Sequence, residues 1–283
     1  MEEIIKSPLN YTGGKYRLLK KGLLNYFPND INTFIDLFGG SGTISVNVKA
    51  DKIFYNEIIP YLPKLFNTWK EKSLIEINEY IDNTIEKFNL SGENQQSFIE
   101  FRKYYNKNKN IEDLFILICY SFNFQMRFNN KQEYNSSFGK QASTMNPNIR
   151  KNLNTFVTKI KEKDIIFLNN DFRELKIDKL SNKDFVYLDP PYILSCGVYQ
   201  DGKRGFNGWS IDDEKDMFNL LDELNNNGVR FALSNLLESK GNINEYLVER
   251  CKKYNIQEIN MNYNGSNYQR TNKRDKEIIV TNY

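Results

Sequence analysis

Residues 185–192 read FVYLDPPY: a run of strand formers, then an acid, two prolines and an aromatic ring. Proline fixes φ and carries no N–H, so the Pro190 carbonyl meets little local competition for a donor. An Asp189 carboxylate beside that carbonyl gives two acceptors, which together suit an amino group with two N–H donors. Tyr192 offers a flat face on which a base can stack, worth ~1–3 kcal/mol. With Pro191 completing the turn, Asp189, Pro190, Pro191 and Tyr192 form a candidate catalytic pocket for an exocyclic amine on an aromatic ring. A rigid turn from strand to loop, with no chemistry, uses the same residues.

Two glycine elements lie upstream. Asp36-Leu37-Phe38-Gly39-Gly40-Ser41-Gly42-Thr43 follows a short apolar run, and glycines there let the backbone approach a ligand closely. Ser45 stands where GxGxxG needs its third glycine, and the loop is no GxxxxGK[ST] either. Glu57 ends the next strand-like run, where an acid can accept hydrogen bonds from ribose hydroxyls. The spacing fits a nucleoside cofactor; a tight structural turn fits it too. The earlier element runs Pro8-Leu9-Asn10-Tyr11-Thr12-Gly13-Gly14-Lys15. A helix dipole disfavours a cation at its start, so Lys15 makes sense if it faces an anion such as a carboxylate. The chain has no histidine, which removes imidazole bases, His-based triads and His-metal centres. The three cysteines, Cys119, Cys196 and Cys251, lie far apart, so neither a disulfide framework nor a metal site is expected.

These groups need strands and turns to hold them. Lys15–Phe27 has the apolar spacing of a helix, Thr33–Phe38 and Lys52–Glu57 read as strands, and Thr43 can open the helix between them. That strand–helix–strand rhythm favours a parallel sheet. It stops near Pro60, where SLIEINEYIDNTIEKF, QQSFIEFRKYYNK and IEDLFILICYSF follow as three helices, then a loop-like stretch and a basic helix near NIRKNLNTFVTKIKEK. Strands return with DIIFLNNDF, DFVYLDPPY and VRFALSN; a helix with Ser210 or Asp212 as N-cap lies between the last two. IQEINMNY and KEIIVTNY read as a closing antiparallel pair. The expected organisation is one α/β domain, 1–59 and 164–283, interrupted by a mainly helical insertion, 60–163. Between Tyr120 and Lys163 eight Lys and Arg face two Glu in a chain of net charge only +3, so a polyanionic partner would meet the insertion. No apolar run of membrane length and no signal-like start are present, so a soluble cytoplasmic protein without membrane contact is expected.

PLNYTGGK, FIDLFGGSGT, YNEI, DFVYLDPPY and FALSN, in this order, resemble the Dam-type family of DNA adenine-N6 methyltransferases across essentially the whole chain. The chain resembles its α group, in which target recognition sits between the glycine motif and DPPY, and is similar in pattern to the T-even phage branch. The resemblance implies a Rossmann-like methyltransferase sheet, S-adenosylmethionine as cofactor, and transfer of its methyl group to N6 of a flipped-out adenine in duplex DNA. It implies cofactor contacts at Tyr11, Gly13, Gly14, Lys15, Asp36, Phe38, Gly40, Gly42, Glu57, Asp171, Phe172 and Asp189, with Lys15 meeting the cofactor carboxylate and Asp171 and Phe172 beside its adenine. QMRFNNKQEYNSSFGK resembles the family's DNA-reading β-hairpin. Arg127 would read guanine and Gln125 or Gln141 adenine, with Asn129 and Ser137 in the same hairpin. Lys131, Lys140, Arg150 and Lys151 would meet phosphates. The expected site is GATC or a related palindrome, although Ser137-Phe138-Gly139-Lys140-Gln141 stands where relatives commonly carry PFG and an arginine. A bacterial or phage enzyme is implied, monomeric or a weak dimer on DNA, with a cognate restriction endonuclease as one setting.

Three rivals stay open on the residues. Other amine methyltransferases, acting on cytosine N4, RNA adenine or protein glutamine, more often carry Ser or Asn before PPY. An NAD-dependent oxidoreductase explains the glycine loop and Glu57 but not DPPY. A catalytically silent DNA-binding relative has no need of an intact Asp189, Pro190 and Tyr192.

Overall fold

A computed structural model describes residues 3–11, 13–194, 208–259 and 275–283, with Ala142 described in its backbone only. In chain order the strands are β1 (Thr33–Asp36), β2 (Lys52–Asn56), β3 (Ile165–Leu168), β4 (Phe185–Leu188), β5 (Arg230–Ser239), β6 (Asn242–Ile243), β7 (Asn255–Ile259) and β8 (Lys276–Thr281). They form one sheet in the order β3-β2-β1-β4-β5-β8-β7, with β6 folded back on β5. The first five are parallel; β8 runs antiparallel to both β5 and β7. From β1 the chain moves outward to β2 and β3, then returns to lay β4 on the other side of β1. The order therefore reverses between β1 and β4, and a crevice opens outside their carboxyl ends, where ligands of open α/β sheets bind. Asp36 and Asp189 stand at those two ends.

The central strands are apolar without alternation because both faces are covered. Phe34, Phe185 and Tyr187 point into one core, and Ile35, Val186 and Leu188 into the other. The second core is closed by α8 (Ile211–Asn226) and α9 (Glu245–Cys251) through Met217, Phe218, Leu221 and Leu247. The first is covered by α2 (Thr43–Asn47), α3 (Tyr61–Glu71) and α7 (Pro147–Glu162). It continues without a break into α4 (Leu74–Phe88), α5 (Gln95–Asn108) and α6 (Ile111–Cys119), so Phe66 and Phe156 share one core with Phe101 and Tyr105. Capping chemistry sets the starts: Ser73 and Glu76 form a capping box on α4, Asn146 caps α7 ahead of Pro147, and Ser210 with Asp213 caps α8.

Two local expectations change. The helix expected over Lys15–Phe27 splits into α1 (Tyr16–Lys20) and a 3₁₀ turn at Leu23–Tyr26, because Gly22 takes φ 92° between them. The hairpin expected in the insertion is an antiparallel loop rather than a pair of regular strands, with isolated bridges at Ser121↔Phe138 and Phe128↔Tyr134. Side chains replace the ladder there. The Arg127 N–H donates to Ser136 Oγ at 3.1 Å, and both Ser136 Oγ and Tyr134 OH donate to the Gln125 carbonyl, at 2.7 and 3.1 Å. Finally, IQEINMNY is described as β7 only to Ile259; its remainder lies outside the described residues, as does Cys196.

Candidate active site

The crevice is a cavity of about 820 Å³, lined by both glycine elements, Asp36, Glu57, Phe172, Asp189, Pro191 and Tyr192. Asp189 is half-buried at the end of β4, directly before the buried Pro190. Its Oδ1 accepts from Lys15 Nζ at 2.8 Å and from the Tyr192 hydroxyl at 3.0 Å. Its Oδ2 has no hydrogen-bonding partner among the described residues, and Asp189 lines the cavity together with residues of both glycine turns. Burial pushes the Asp189 carboxyl above the usual carboxylate range; the Lys15 ammonium opposes this and Glu277 adds to it. Lys15 itself is buried, and Nζ also donates to the Gly13 carbonyl at 3.1 Å and stands 3.5 Å from Glu277 Oε1. The anion that faces Lys15 is thus supplied by the protein's own carboxylates.

The glycine loop is built around Tyr55. A Cβ on Gly39 would lie 2.2 Å from the buried Tyr55 ring, and the Tyr55 hydroxyl donates to the Gly40 carbonyl at 2.6 Å. Gly40 and Gly42 take φ of 48° and 72°, a region costly for other residues. The Gly40 N–H donates to Glu57 Oε2 at 2.9 Å and the Ile59 N–H to Oε1 at 3.0 Å, which fixes the acid against the loop. The Tyr11 ring lies over the loop, 3.1 Å from where a Gly40 Cβ would be. Ser45, at the position of the missing third glycine, donates to Asp36 Oδ2 at 2.6 Å. Burial raises the Asp36 carboxyl to about 7 despite that bond, with Asp189 and Glu57 adding repulsion.

An aromatic wall closes one side. Ring centroids of Phe38 and Phe172 are 5.4 Å apart, those of Phe172 and Trp209 5.6 Å, and those of Phe38 and Trp209 5.7 Å. Trp209 Nε1 donates to the buried Glu214 at 2.5 Å. Asp171 lines the rim and is committed to Arg173, accepting from its N–H at 2.9 Å and its guanidinium at 3.1 Å. Arg173 also bonds Asp213 and Asp216 at the start of α8.

Of the residues expected to read DNA, Gln125 and Arg127 line the mouth of this cavity. Lys131, Ser137, Lys140, Gln141 and Lys151 are exposed on the insertion. Asn129 shapes its own turn, accepting from the Lys131 and Glu133 N–H groups at 2.9 and 3.0 Å. Arg150 bonds Asn78 at 2.6 Å and pairs with Asp82, tying α7 to α4. Sequence reading missed Trp209, Tyr55 and Glu277. An aromatic between a glycine and the N-cap Ser210 was a usable signal for Trp209; Glu277 gave none, being one acid in a terminal strand. Among the described residues no group of acids and cysteines is arranged to hold a metal, and no helix is long and apolar enough to cross a membrane.

The sequence profile of the D12 class N6 adenine-specific DNA methyltransferases matches residues 11–264. The chain belongs to that family. It is 44% identical over 279 residues to the type II methyltransferase M.FokI of Planomicrobium okeanokoites, covering 99% of this chain and 43% of that protein. It is 41% identical over 284 residues to the modification methylase StsI of Streptococcus sanguinis, covering 100% of this chain and 43% of that protein. The modification methylase LlaI of Lactococcus lactis subsp. lactis is 29% identical over 283 residues, 99% of this chain and 44% of that protein. This D12 chain thus spans less than half the length of these relatives, all bacterial; the likeness to the T-even phage branch finds no support among them. The family is described as acting on adenine N6 in DNA.

Proposed function

We propose that this chain is a site-specific DNA adenine methyltransferase that methylates N6 of an adenine turned out of a short duplex site. The observation that carries the reading is that Asp189, with Oδ2 unpartnered among the described residues, opens into the same cavity as both glycine turns.

The cavity fits S-adenosylmethionine, which when bound supplies an electrophilic methyl group on a sulfonium. Its walls supply buried acids for a cation, a glycine loop whose backbone a Cβ would obstruct, and an aromatic face for a purine. Tyr11, Gly13, Gly14, Gly40, Gly42 and Asp36 would hold the amino-acid end, Glu57 the ribose, and Phe38, Asp171 and Phe172 with Trp209 the adenine. Lys15 acts here as the tether of Asp189, and its contact with a cofactor carboxylate is a second role in the same place.

Adenine N6 is a poor nucleophile because its lone pair is delocalised into the ring. Asp189 and the Pro190 carbonyl accept its two N–H bonds and favour the pyramidal amine as the transition state forms. The base is unreachable inside a duplex, so it must be everted, and Tyr192 stacks on it. Asp189 need not be a strong base, since the amine turns acidic once methylated. Residues 60–163 serve as the target recognition segment of a catalytic domain formed by 1–59 and 164–283. Arg127 and Gln125, at the cavity mouth, read bases, with Gln141, Asn129 and Ser137 in the same loop. Lys131, Lys140 and Lys151 meet phosphates, and Arg150 does so only by sharing its guanidinium with α4. GATC or a related palindrome is the first sequence to test, and a restriction-modification setting follows from the names of the relatives.

The test is chemical. Incubated with S-adenosylmethionine and amplified, unmethylated genomic DNA, the chain should yield N6-methyldeoxyadenosine on nucleoside mass spectrometry. N4-methyldeoxycytidine, or no methylated nucleoside, contradicts the reading.

A further inference from the structure

The Tyr192 hydroxyl sits between two carboxylates, 3.0 Å from Asp189 Oδ1 and 2.8 Å from Glu277 Oε1. A phenol has one proton, so it can donate to only one of them. With both acids ionised, the other contact sets oxygen against oxygen with no hydrogen between. One added proton resolves this: a protonated carboxyl donates to the tyrosine oxygen while the tyrosine donates to the other acid. Charge gives the same answer. Among the described residues two carboxylates face the Lys15 ammonium in a largely buried place, and one proton brings these three groups to neutrality. Buried excess charge is costly, so the geometry holds a ready place for that proton.

Glu277 reaches this point through topology. It lies at the start of β8, and β8 is antiparallel to β5, which brings its first residues to the carboxyl ends of the parallel strands. Its register neighbours, Leu236 on β5 and Ile259 on β7, carry no charge. Among the described residues, the titratable groups that face it are Lys15 before α1, Tyr187 on β4, and Asp189 and Tyr192 in the turn after β4. Lys276, next to it on β8, is paired with Glu238.

We propose that Glu277 is a positioning residue that, through Tyr192, takes up the proton released when the amine is methylated. The inference rests on the reading of Asp189 given above. As the N6–carbon bond forms and the sulfur–methyl bond breaks, N6 becomes cationic. Its N–H bond then breaks and the proton passes to Asp189. Asp189 donates to the Tyr192 oxygen as the Tyr192 proton moves to Glu277 Oε1. Water receives it from Glu277 when the product leaves. Asp189 is thereby returned to its ionised form before the next base enters, and Lys15 keeps one carboxylate throughout.

Glu277→Gln tests this, because the amide still accepts from Tyr192 but cannot take a proton. Single-turnover methylation of amplified, unmethylated DNA is followed against pH, with S-adenosylmethionine affinity measured alongside. The plateau rate should fall about tenfold or more, with cofactor affinity unchanged within about twofold. The acid limb should move to lower pH, since removing the Glu277 charge eases ionisation of Asp189. A merely structural role would be met by Gln, so a wild-type plateau and wild-type acid limb overturn the proposal. Should Glu277→Gln not fold, Tyr192→Phe decides: it keeps the ring and removes the relay, and an unchanged plateau overturns the proposal as well. Asp189→Ala, run in parallel, separates the two claims, because full activity in that variant sinks the assignment of Asp189 itself, whereas loss there with no effect at Glu277 sinks the relay alone.

Discussion

The cavity at the sheet and the loop at its mouth are held in opposite ways. In the cavity almost every polar side chain is already bonded to another: Lys15 to Asp189, Glu57 to the Gly40 N–H, Ser45 to Asp36. In the loop, hydrogen bonds are spent on the backbone, and Arg127, Lys131 and Ser137 are exposed, while the exposed Gln141 reaches Glu93 at 3.4 Å. A reaction needs groups fixed before substrate arrives, because preorganised dipoles need no rearrangement at the moment of reaction. Reading a sequence needs side chains free to meet base edges, on a backbone that does not move. The irregular loop provides both: Ser136 and Tyr134 hold the chain, and Arg127 and Lys131 stand exposed on it.

That contrast can be broken by substitution. Asp189→Ala should lower single-turnover methylation on the order of 10³-fold or more, with DNA affinity nearly unchanged; a variant retaining a tenth of the activity would place the chemistry elsewhere. Arg127→Ala should do the reverse. It should cost ~1–3 kcal/mol of site binding and relax the preference at one base pair, leaving cofactor affinity intact. Competition binding with duplexes varied at each position measures this, and a uniform loss across all sequences would demote Arg127 to a phosphate contact.

Smaller effects sharpen the comparison. Asp36 is raised to about 7 in the folded chain. The folded state therefore binds a proton that the unfolded chain has already lost, and stability without cofactor should fall as pH climbs from about 4 towards 7. A cation in the cavity favours the ionised form. S-adenosylmethionine affinity should consequently rise with pH by up to about tenfold per unit below 7 and level off above it, with proton release seen by calorimetry in buffers of different ionisation enthalpy. Affinity that is flat over that range would remove Asp36 from the cation's surroundings. Lys151→Ala should have the least effect, weakening all DNA sequences alike and reducing the slope of log affinity against log salt by about one.

Much of the cavity could be read from the chain because it stands where strands end. Buried parallel strands are continuous apolar runs, so TFID, KIFYN and FVYL announce themselves, and the residues just after them, Phe38, Glu57 and Asp189, had to share one edge of the sheet. Other features depend on long-range placement. Glu277 meets Asp189 only because β8 is antiparallel to β5, a fact about strand order that no local pattern encodes. Gly39 reads as a flexible turn, yet its reason is the Tyr55 ring from the neighbouring strand. Gly22 divided what apolar spacing joined, since the 3.6-residue period carries no information about φ at a single glycine. The loop defeated the strand reading because serine and tyrosine side chains outcompeted the backbone ladder, a contest that depends on tertiary contacts.

The most direct test of the central claim, that the Asp189 pocket methylates adenine N6 in DNA, is single-molecule sequencing of DNA from cells expressing the chain. N6-methyladenine should occupy one short motif, absent from cells expressing Asp189→Ala. Unmodified adenine throughout, despite abundant, folded chain that binds S-adenosylmethionine, would contradict it.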